Sequence, residues 1–331
     1  MVPFTFAKAR SEREALDRVR QPNAVFIAGG TTLLDLMKLN VQTPASLVDI
    51  NSLPLDKIEV RADGSLRLGA MVRNSELAHH PRVQQSFPVL AEALLSGASP
   101  QLRNMATTGG NLMQRTRCYY FRDTGYPCNK RQPGSGCAAL EGFNRIHAVL
   151  GGSNQCIATH ASDMAVAMVA LEAVVHISGP RSERKVPVGE FHLLPGNTPH
   201  IETVLQPGEL ITHVTIPASA FAAQSAYVKL RDRASYEFAL ASAAAALEIQ
   251  GNQIRSARLA LGGVATKPWR SPEGERVLTG SAAEGKTFQA AADAAMKGAV
   301  PHKHNAYKIE LAKRAIVRAL TNAAQKAGAH S

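Results

Sequence analysis

The chain of 331 residues has four cysteines, Cys118, Cys128, Cys137 and Cys156, and all fall in one stretch. Nine, eight and eighteen residues separate successive members. Four thiolates on one local loop suit a tetrahedral zinc, an iron–sulfur cluster or two disulfides. Structural zinc sites usually contain short C-x(2–4)-C knuckles, and the ferredoxin pattern is a C-x2-C-x2-C run; neither occurs here. Wide intervals fit a four-iron cluster, whose separated corners a long wrapped loop can reach. Gly125, Pro127, Pro133, Gly134 and Gly136 let such a loop turn sharply and approach a bulky group. Arg115, Arg117, Arg122, Lys130 and Arg131 would offset the negative charge of four thiolates. The alternative is a disulfide-stapled surface loop, although a chain this long can bury a core without staples.

Two glycine turns precede the cysteines. Val25-Phe26-Ile27-Ala28 reads as a buried strand running into Gly29-Gly30-Thr31-Thr32, and a helix follows over Leu33 to Lys38. Paired glycines permit positive φ and close approach of a ligand, and amides at a helix start favour an anion such as a diphosphate. Thr107-Thr108-Gly109-Gly110-Asn111-Leu112 is the second turn. Neither is G-x-G-x-x-G or a Walker loop, and either alone reads as an ordinary turn. Together they could hold both ends of an elongated dinucleotide.

Around these turns the chain alternates strands and helices. Leu47 to Ile50 reads as a strand, and Ile58 to Arg61 with Leu66 to Gly69 as a hairpin about Asp63-Gly64. Helices are expected at Ser75 to Ala78 and Val89 to Leu95. Strands are expected at Ala148 to Gly151, Val174 to Ile177 and Leu210 to Ile216. Ser162-Asp163 caps an apolar helix running to Leu171. Pro217 marks a change of texture, with an alanine-rich run at 239–247 and a basic amphipathic helix from about Tyr307 to Ala324.

Composition describes an ordinary globular protein, with 45% hydrophobic and 19% charged residues. The net charge is +11, from 37 Lys and Arg against 26 Asp and Glu. Aromatics are only 5% and no nucleic-acid motif is present, so solubility, or docking to acidic partner subunits, explains the charge better than DNA or RNA. No window approaches ~18 uninterrupted apolar residues, so no membrane span is expected. The N-terminus reads as a strand without a signal-peptide apolar core. The eight histidines from His79 to His213 lack metal-ligand pairing; His160, close after Cys156, is expected near the cysteine centre. No Ser/His/Asp arrangement is visible, as expected if substrate chemistry lies on another chain.

The segments Phe26-Ile27-Ala28-Gly29-Gly30-Thr31-Thr32-Leu33-Leu34 and Thr107 to Leu112 resemble the two FAD diphosphate loops of the medium subunit of molybdenum hydroxylases. That family includes xanthine dehydrogenase, carbon monoxide dehydrogenase and aldehyde oxidoreductases. Ser162-Asp163-Met164-Ala165, Lys229 to Arg233 and Leu261 to Ala265 are similar to later family segments, so the resemblance spans nearly the whole chain. Most medium subunits lack a cysteine loop. Arg117 to Phe121, Pro127 to Arg131, Pro133 to Cys137 and Cys156 to His160 resemble the subunit of bacterial periplasmic aldehyde oxidoreductases that carries FAD and one [4Fe-4S] cluster. The flavin subunit of 4-hydroxybenzoyl-CoA reductase, which also has an extra cluster, is the second resemblance.

The resemblance implies an α+β fold: a two-lobed FAD-binding domain of the vanillyl-alcohol-oxidase/PCMH type over 1–217, then a smaller α+β C-terminal domain over 218–331. The lobes would be about 1–56 and 57–217, with the iron–sulfur loop inserted at 115–160, and the second domain would be of the carbon monoxide dehydrogenase flavoprotein type. It implies Cys118, Cys128, Cys137 and Cys156 as cluster ligands. Gly29, Gly30, Thr31 and Thr32 would contact the diphosphate from one side, and Thr108, Gly109 and Asn111 from the other. Asp163 would accept from ribose or adenine-side hydroxyls, against the plainer role of a helix-cap carboxylate. Lys229 would neutralise charge on the reduced isoalloxazine, against the plainer role of a solvated strand lysine. The implied assembly is a heterotrimer with a large molybdenum-cofactor subunit that oxidises an aldehyde and a small subunit with two [2Fe-2S] clusters. Electrons would leave to an external acceptor. Export to the periplasm on a partner's signal is implied, with the cytoplasm as the alternative.

Overall fold

The computed structural model describes residues 1–180 and 182–328. Its strands form three sheets that follow one another along the chain. In the first, β1 (Thr5–Lys8), β2 (Ala24–Ile27) and β3 (Ser46–Asp49) run parallel in the order β1-β3-β2. Parallel neighbours need crossovers, and the helices Glu12–Arg18 and Leu33–Lys38 supply them. With Ile27 opposite Asp49, β2 delivers the chain into the turn at 28–32. Asn51 Nδ2 fastens that exit by donating to Ala28 O at 3.0 Å and Asp49 Oδ1 at 2.7 Å.

The second sheet is antiparallel, in the order β4-β5-β8-β6-β7: β4 (Ile58–Val60), β5 (Leu66–Gly69), β6 (Val174–Ser178), β7 (Glu183–Pro187) and β8 (Leu210–Ile216). The β4–β5 hairpin turns at Gly64, whose φ of +82° suits a residue without Cβ. Alternate residues of the sheet, including Leu66, Leu68, Val175, Ile177, Val214 and Ile216, enter one core with the helices Pro88–Ser96 and Asp163–Ala170. The long excursion between β5 and β6 carries the second glycine turn and the cysteines.

The third sheet comprises β9 (Ser225–Leu230), β10 (Ala241–Gln250), β11 (Gln253–Gly262) and β12 (Trp269–Arg270), all antiparallel. The alanine-rich run is β10. Alanine is a good helix former, but here tertiary packing overrides propensity. The strand is buried on both faces, and only small side chains let helices come close on each. Ala243, Ala245 and Leu247 pack with Ile316 and Ala319 of the helix Tyr307–Gly328, while Ala244 joins the first core. The strand expected at 148–151 reduces to a single parallel bridge, Leu150 with Ala265. Its neighbour turns away at Gly263, where φ is +70°, before a ladder can extend. Among the described residues, no helix is long and apolar enough to cross a membrane.

Candidate functional site

The first glycine turn has donors to offer. Gly30 lies in the left-handed region at φ +71°. Gly29 is required for another reason: a Cβ there would stand 1.9 Å from Met105 O. Among the described residues, the amides of Gly30, Thr31, Thr32 and Leu33 have no acceptor in the protein. Four adjacent donors at a helix start form a natural seat for an anion.

The second turn departs from expectation. The Thr108 and Gly109 amides donate to Val72 O at 2.9 Å and Ala70 O at 2.8 Å. Those of Gly110 and Asn111 donate to Thr107, at 3.1 Å to Oγ1 and 2.8 Å to O. The Thr108 hydroxyl, fully buried, donates to Val72 O at 3.2 Å. These amides are therefore engaged, and the turn contributes shape. Asn111 Oδ1 accepts from Gln114 Nε2 and Ser162 Oγ, and among the described residues Nδ2 is left as its free donor.

Two cavities meet at the turns. One, of about 480 Å³, is lined by Phe26, Ile27, Ala28, Gly29, Gly30 and Leu33, with Gly109, Met71 and Leu205 opposite. The other, of about 440 Å³, is lined by Asn111, Asp163, Lys229, Arg233, Tyr236 and Phe238. Thr31, Thr32 and Gly110 border both. Paired cavities joined at a row of free amides match a long molecule with an anionic middle. Leu34 and Thr108 line neither cavity. Leu34 instead lies beside Gly30, close enough that a Cβ there would come within 2.9 Å of it.

Asp163 and Lys229 are brought together. Asp163 Oδ2 accepts from Lys229 Nζ at 2.8 Å and Oδ1 from the Tyr227 hydroxyl at 2.6 Å. Lys229 also donates to Ser96 O at 3.1 Å. Their side chains are only 3% and 9% exposed for Lys229 and Asp163, so the lysine is not solvated. The helix cap is Ser162, whose Oγ accepts from Ala165 N at 2.9 Å. Burial, with the Asp163 charge beside it, pushes the Tyr227 phenol well above its ordinary range, which keeps it a donor.

The four cysteines are free and line one small cavity of about 10 Å³. Cys118, Cys128 and Cys156 are buried and Cys137 is half-buried, packed among Leu36, Phe121, Ala139 and Ile157. Cys128 and Cys137 face each other across an antiparallel bridge. The disulfide alternative is thus not what the fold forms. Among the described residues, no group of three or more His, Cys, Asp or Glu converges so as to hold a metal ion.

Burial pushes the Cys118 thiol up to about 12 and Cys156 up to about 11, and raises Cys137 as well. Backbone amides oppose this, those of Phe121 and Tyr120 at Cys118 and those of Ala139, Ile157 and Leu140 at Cys137. The Ala158 amide reaches Cys156 Sγ at 3.4 Å. Sulfurs so placed keep their protons in isolation, yet are provided with donors suited to a thiolate whose proton a metal has displaced.

The loop's cations have partners of their own. Arg117 and Arg122 both bind Asp35 at 2.8 Å. Arg115 and Lys130 bind Glu202 at 2.7 and 2.5 Å. Arg131 donates to the carbonyls of Tyr120 and Phe121. The expected charge offset is therefore largely directed at carboxylates and carbonyls. Asp35 and Leu36 lie on the helix that begins at the first glycine turn, so one helix fastens the cysteine loop at its middle and presents free amides at its start.

His160 is turned aside, its Nδ1 accepting from Ser162 N at 3.2 Å. The sequence reading missed His147, whose Nε2 lies 3.1 Å from Cys118 Sγ. No spacing rule could have found it, because the contact depends on how the loop closes.

The Glu202 cluster gives a pH prediction. Burial raises this carboxyl, but Lys130 and Arg115 outweigh it, so its pKa lies below the ordinary 4.5. A depressed folded value contributes stability that is present above 4.5 and lost as pH falls through the folded pKa. Urea midpoints measured on the native complex are expected to fall more steeply below pH 4.5 in the wild type than in Glu202→Gln. Parallel curves would remove this ion cluster from the acid response.

Comparison with known proteins follows the same lines. Residues 2–219 match the family described as FAD binding domain in molybdopterin dehydrogenase, and residues 225–323 match CO dehydrogenase flavoprotein C-terminal domain. The chain is 53% identical to the Escherichia coli (strain K12) "Aldehyde oxidoreductase FAD-binding subunit PaoB", over 99% of this chain and 100% of the relative. It is 31% identical to the carbon monoxide dehydrogenase medium chain of Hydrogenophaga pseudoflava, covering 98% of each. Among solved structures, carbon monoxide dehydrogenase from H. pseudoflava superposes with a TM-score of 0.77 at 29% identity, covering 98% of this chain and 99% of that one. Quinoline 2-oxidoreductase from Pseudomonas putida 86 gives 0.76 at 27% identity, with 98% of each chain covered.

Proposed function

The chain belongs to the medium, FAD-binding subunits of the molybdenum hydroxylase family, an oxidoreductase family, and from that premise we propose that it is the electron-transfer subunit of a heterotrimeric aldehyde oxidoreductase, carrying FAD and one [4Fe-4S] cluster. The observation that carries this reading is the ring of four free cysteines built one helix away from the flavin turn. The aldehyde specificity rests on similarity to a protein named as an aldehyde oxidoreductase subunit.

The residues fit both groups. Four free thiols lining one cavity are the soft donor set that an iron–sulfur cluster selects. Cys118, Cys128, Cys137 and Cys156 would hold it, and the amides at the Cys118, Cys137 and Cys156 sulfurs would favour its negative charge. Such a cluster exchanges single electrons. Bound FAD takes up electrons in pairs and can release them singly. Gly30, Thr31, Thr32 and Leu33 would bind its diphosphate through their amides, while Gly109 and Gly110 leave room on the far side. Phe26 to Ala28 would line the first of the two cavities. Asp163, held by Tyr227, pairs with Lys229 at the wall of the second cavity, so the lysine would act on the flavin by its position there, its charge being met by Asp163.

Aldehyde and water would become carboxylic acid on a large molybdenum-cofactor subunit. A small subunit with [2Fe-2S] clusters would relay electrons to this chain, and an external acceptor would remove them. The complex would be periplasmic, exported folded on a partner's signal; a cytoplasmic complex is the alternative outcome of fractionation. The direct test is an anaerobic absorption spectrum of the purified complex with iron, sulfide and flavin counted. Beyond the partners' own centres, about four irons, four sulfides and one FAD are expected for this chain. A chain free of iron after expression with its partners would refute the cluster.

A further inference from the structure

His147 lies between Cys137 and Cys156, outside the ligand set, and is 1% exposed. Its Nε2 stands 3.1 Å from Cys118 Sγ, and among the described residues its Nδ1 is buried without a partner. A neutral imidazole carries one N–H. A cluster-bound thiolate has no proton to give, so the hydrogen of this contact must come from Nε2. That tautomer also leaves Nδ1 as a bare acceptor, which matches its lack of a partner.

The backbone of His147 is gripped from the C-terminal domain. Asn305 Nδ2 donates to His147 O at 3.2 Å and Lys308 Nζ to the same oxygen at 3.0 Å. Lys308 Nζ also reaches Ile146 O at 2.9 Å and Gly263 O at 2.6 Å. One residue group upstream, Asn144 Oδ1 accepts from His304 N at 2.9 Å. Asn144, Asn305 and Lys308 are all fully buried. Burying a lysine without a carboxylate is costly, and three carbonyl acceptors are what make it tolerable. So dense an arrangement fixes the backbone of 144–148 to the start of the long C-terminal helix, and with it the direction of the imidazole.

We propose that His147 is a positioning residue for the cluster, donating an N–H···S hydrogen bond to Cys118, and that the C-terminal domain holds it there. This inference rests on the [4Fe-4S] reading above. A hydrogen bond to a ligand sulfur stabilises the more negative, reduced cluster and raises its potential. The cluster would thereby be easier to reduce than its buried setting alone would make it.

The test is a redox titration of the intact complex, monitored by the cluster's EPR signal, with iron counted in each variant. His147→Leu, which cannot donate, is expected to keep its iron and FAD. At a fixed poise, its reduced-to-oxidised ratio is expected to fall about tenfold, a downward shift of about 59 mV for a one-electron couple. His147→Gln, which keeps an N–H, is expected to recover part of that shift. Iron lost in His147→Leu but kept in His147→Gln would equally support a donor needed at the sulfur. Full iron with an unchanged potential in His147→Leu overturns the proposal, and iron lost in both variants assigns the residue to packing and overturns it too. A wild-type complex without this cluster would instead overturn the cluster reading, an outcome distinguishable from the other two.

Discussion

Cys128→Ser is expected to remove nearly all the iron and sulfide of this chain while most of the FAD stays bound. Cys128 is buried at the wall of the cysteine cavity. Serine nearly matches its size, so the local frame should persist: Ser135 Oγ still accepts from the residue 128 amide, and the amides of Arg131 and Gln132 still donate to its carbonyl. What changes is the ligand. A hydroxyl is a hard donor that stays protonated, and iron–sulfur clusters select soft thiolates. Three remaining thiolates on long, turn-rich segments would not retain the cluster through purification.

The flavin should survive because its turn is fastened independently. Asn51, just after β3, holds Ala28, and Arg73 Nη2 donates to Asn51 Oδ1 at 3.1 Å. The expected spectrum keeps the flavin bands and the absorption of the partner's [2Fe-2S] clusters but loses this cluster's share of the broad charge-transfer absorption, and the iron count drops by about four per complex. Loss of the ligand also removes its contribution to the folded state, so the 115–160 loop should become the first site of proteolysis. Full iron in this variant would sink the ligand assignment. Loss of FAD together with iron would show that the shared helix Leu33–Lys38 couples the two sites more tightly than its contacts imply.

The sequence carried local information well and distant pairings poorly. The β4–β5 hairpin was legible because alternating apolar residues flank Asp63-Gly64. The helix opening at Asp163 was legible from Ser162 as cap, and the C-terminal helix from its amphipathic period. The α+β class and the family followed from motifs that also lie in short windows. The alanine-rich β10 was not assigned a type, because alanine fits either element and neighbours on both faces decide. The arginines of the cysteine loop looked free because their carboxylates, Asp35 and Glu202, lie 82 and 87 residues away in the Arg117 and Arg115 pairs. The amides of the second turn looked free because Val72 and Ala70 come from β5's exit. Lys229 and Asp163 were each assigned a role singly, and their pairing across 66 residues is what the fold added.

Gly30→Val is expected to reduce flavin occupancy to below about a tenth while the iron content of the chain holds. Valine at φ +71° is strained, since left-handed backbone costs an L-residue ~1–2 kcal/mol and a β-branched one more. The new Cβ would also meet Leu34 Cδ1 at 2.9 Å. Leu34 is partly exposed and can swing away, so the lobe can still fold. Relief of the backbone strain, however, rotates the peptides on either side of residue 30. Those peptides begin the row of free amides. Hydrogen bonds to a charged acceptor contribute ~1.5–3 kcal/mol each, so misdirecting two costs ~3–6 kcal/mol. That is roughly two to four powers of ten in affinity. Gly29→Ala supplies the contrast, because its Cβ would lie 1.9 Å from Met105 O and cannot be accommodated without moving backbone. This variant should lower the melting temperature and lose flavin as a consequence of damage to the lobe. Flavin released by acid and counted by fluorescence, beside iron and melting temperature, separates the two. Normal flavin occupancy in Gly30→Val would refute the anion seat at this turn, whatever Gly29→Ala does.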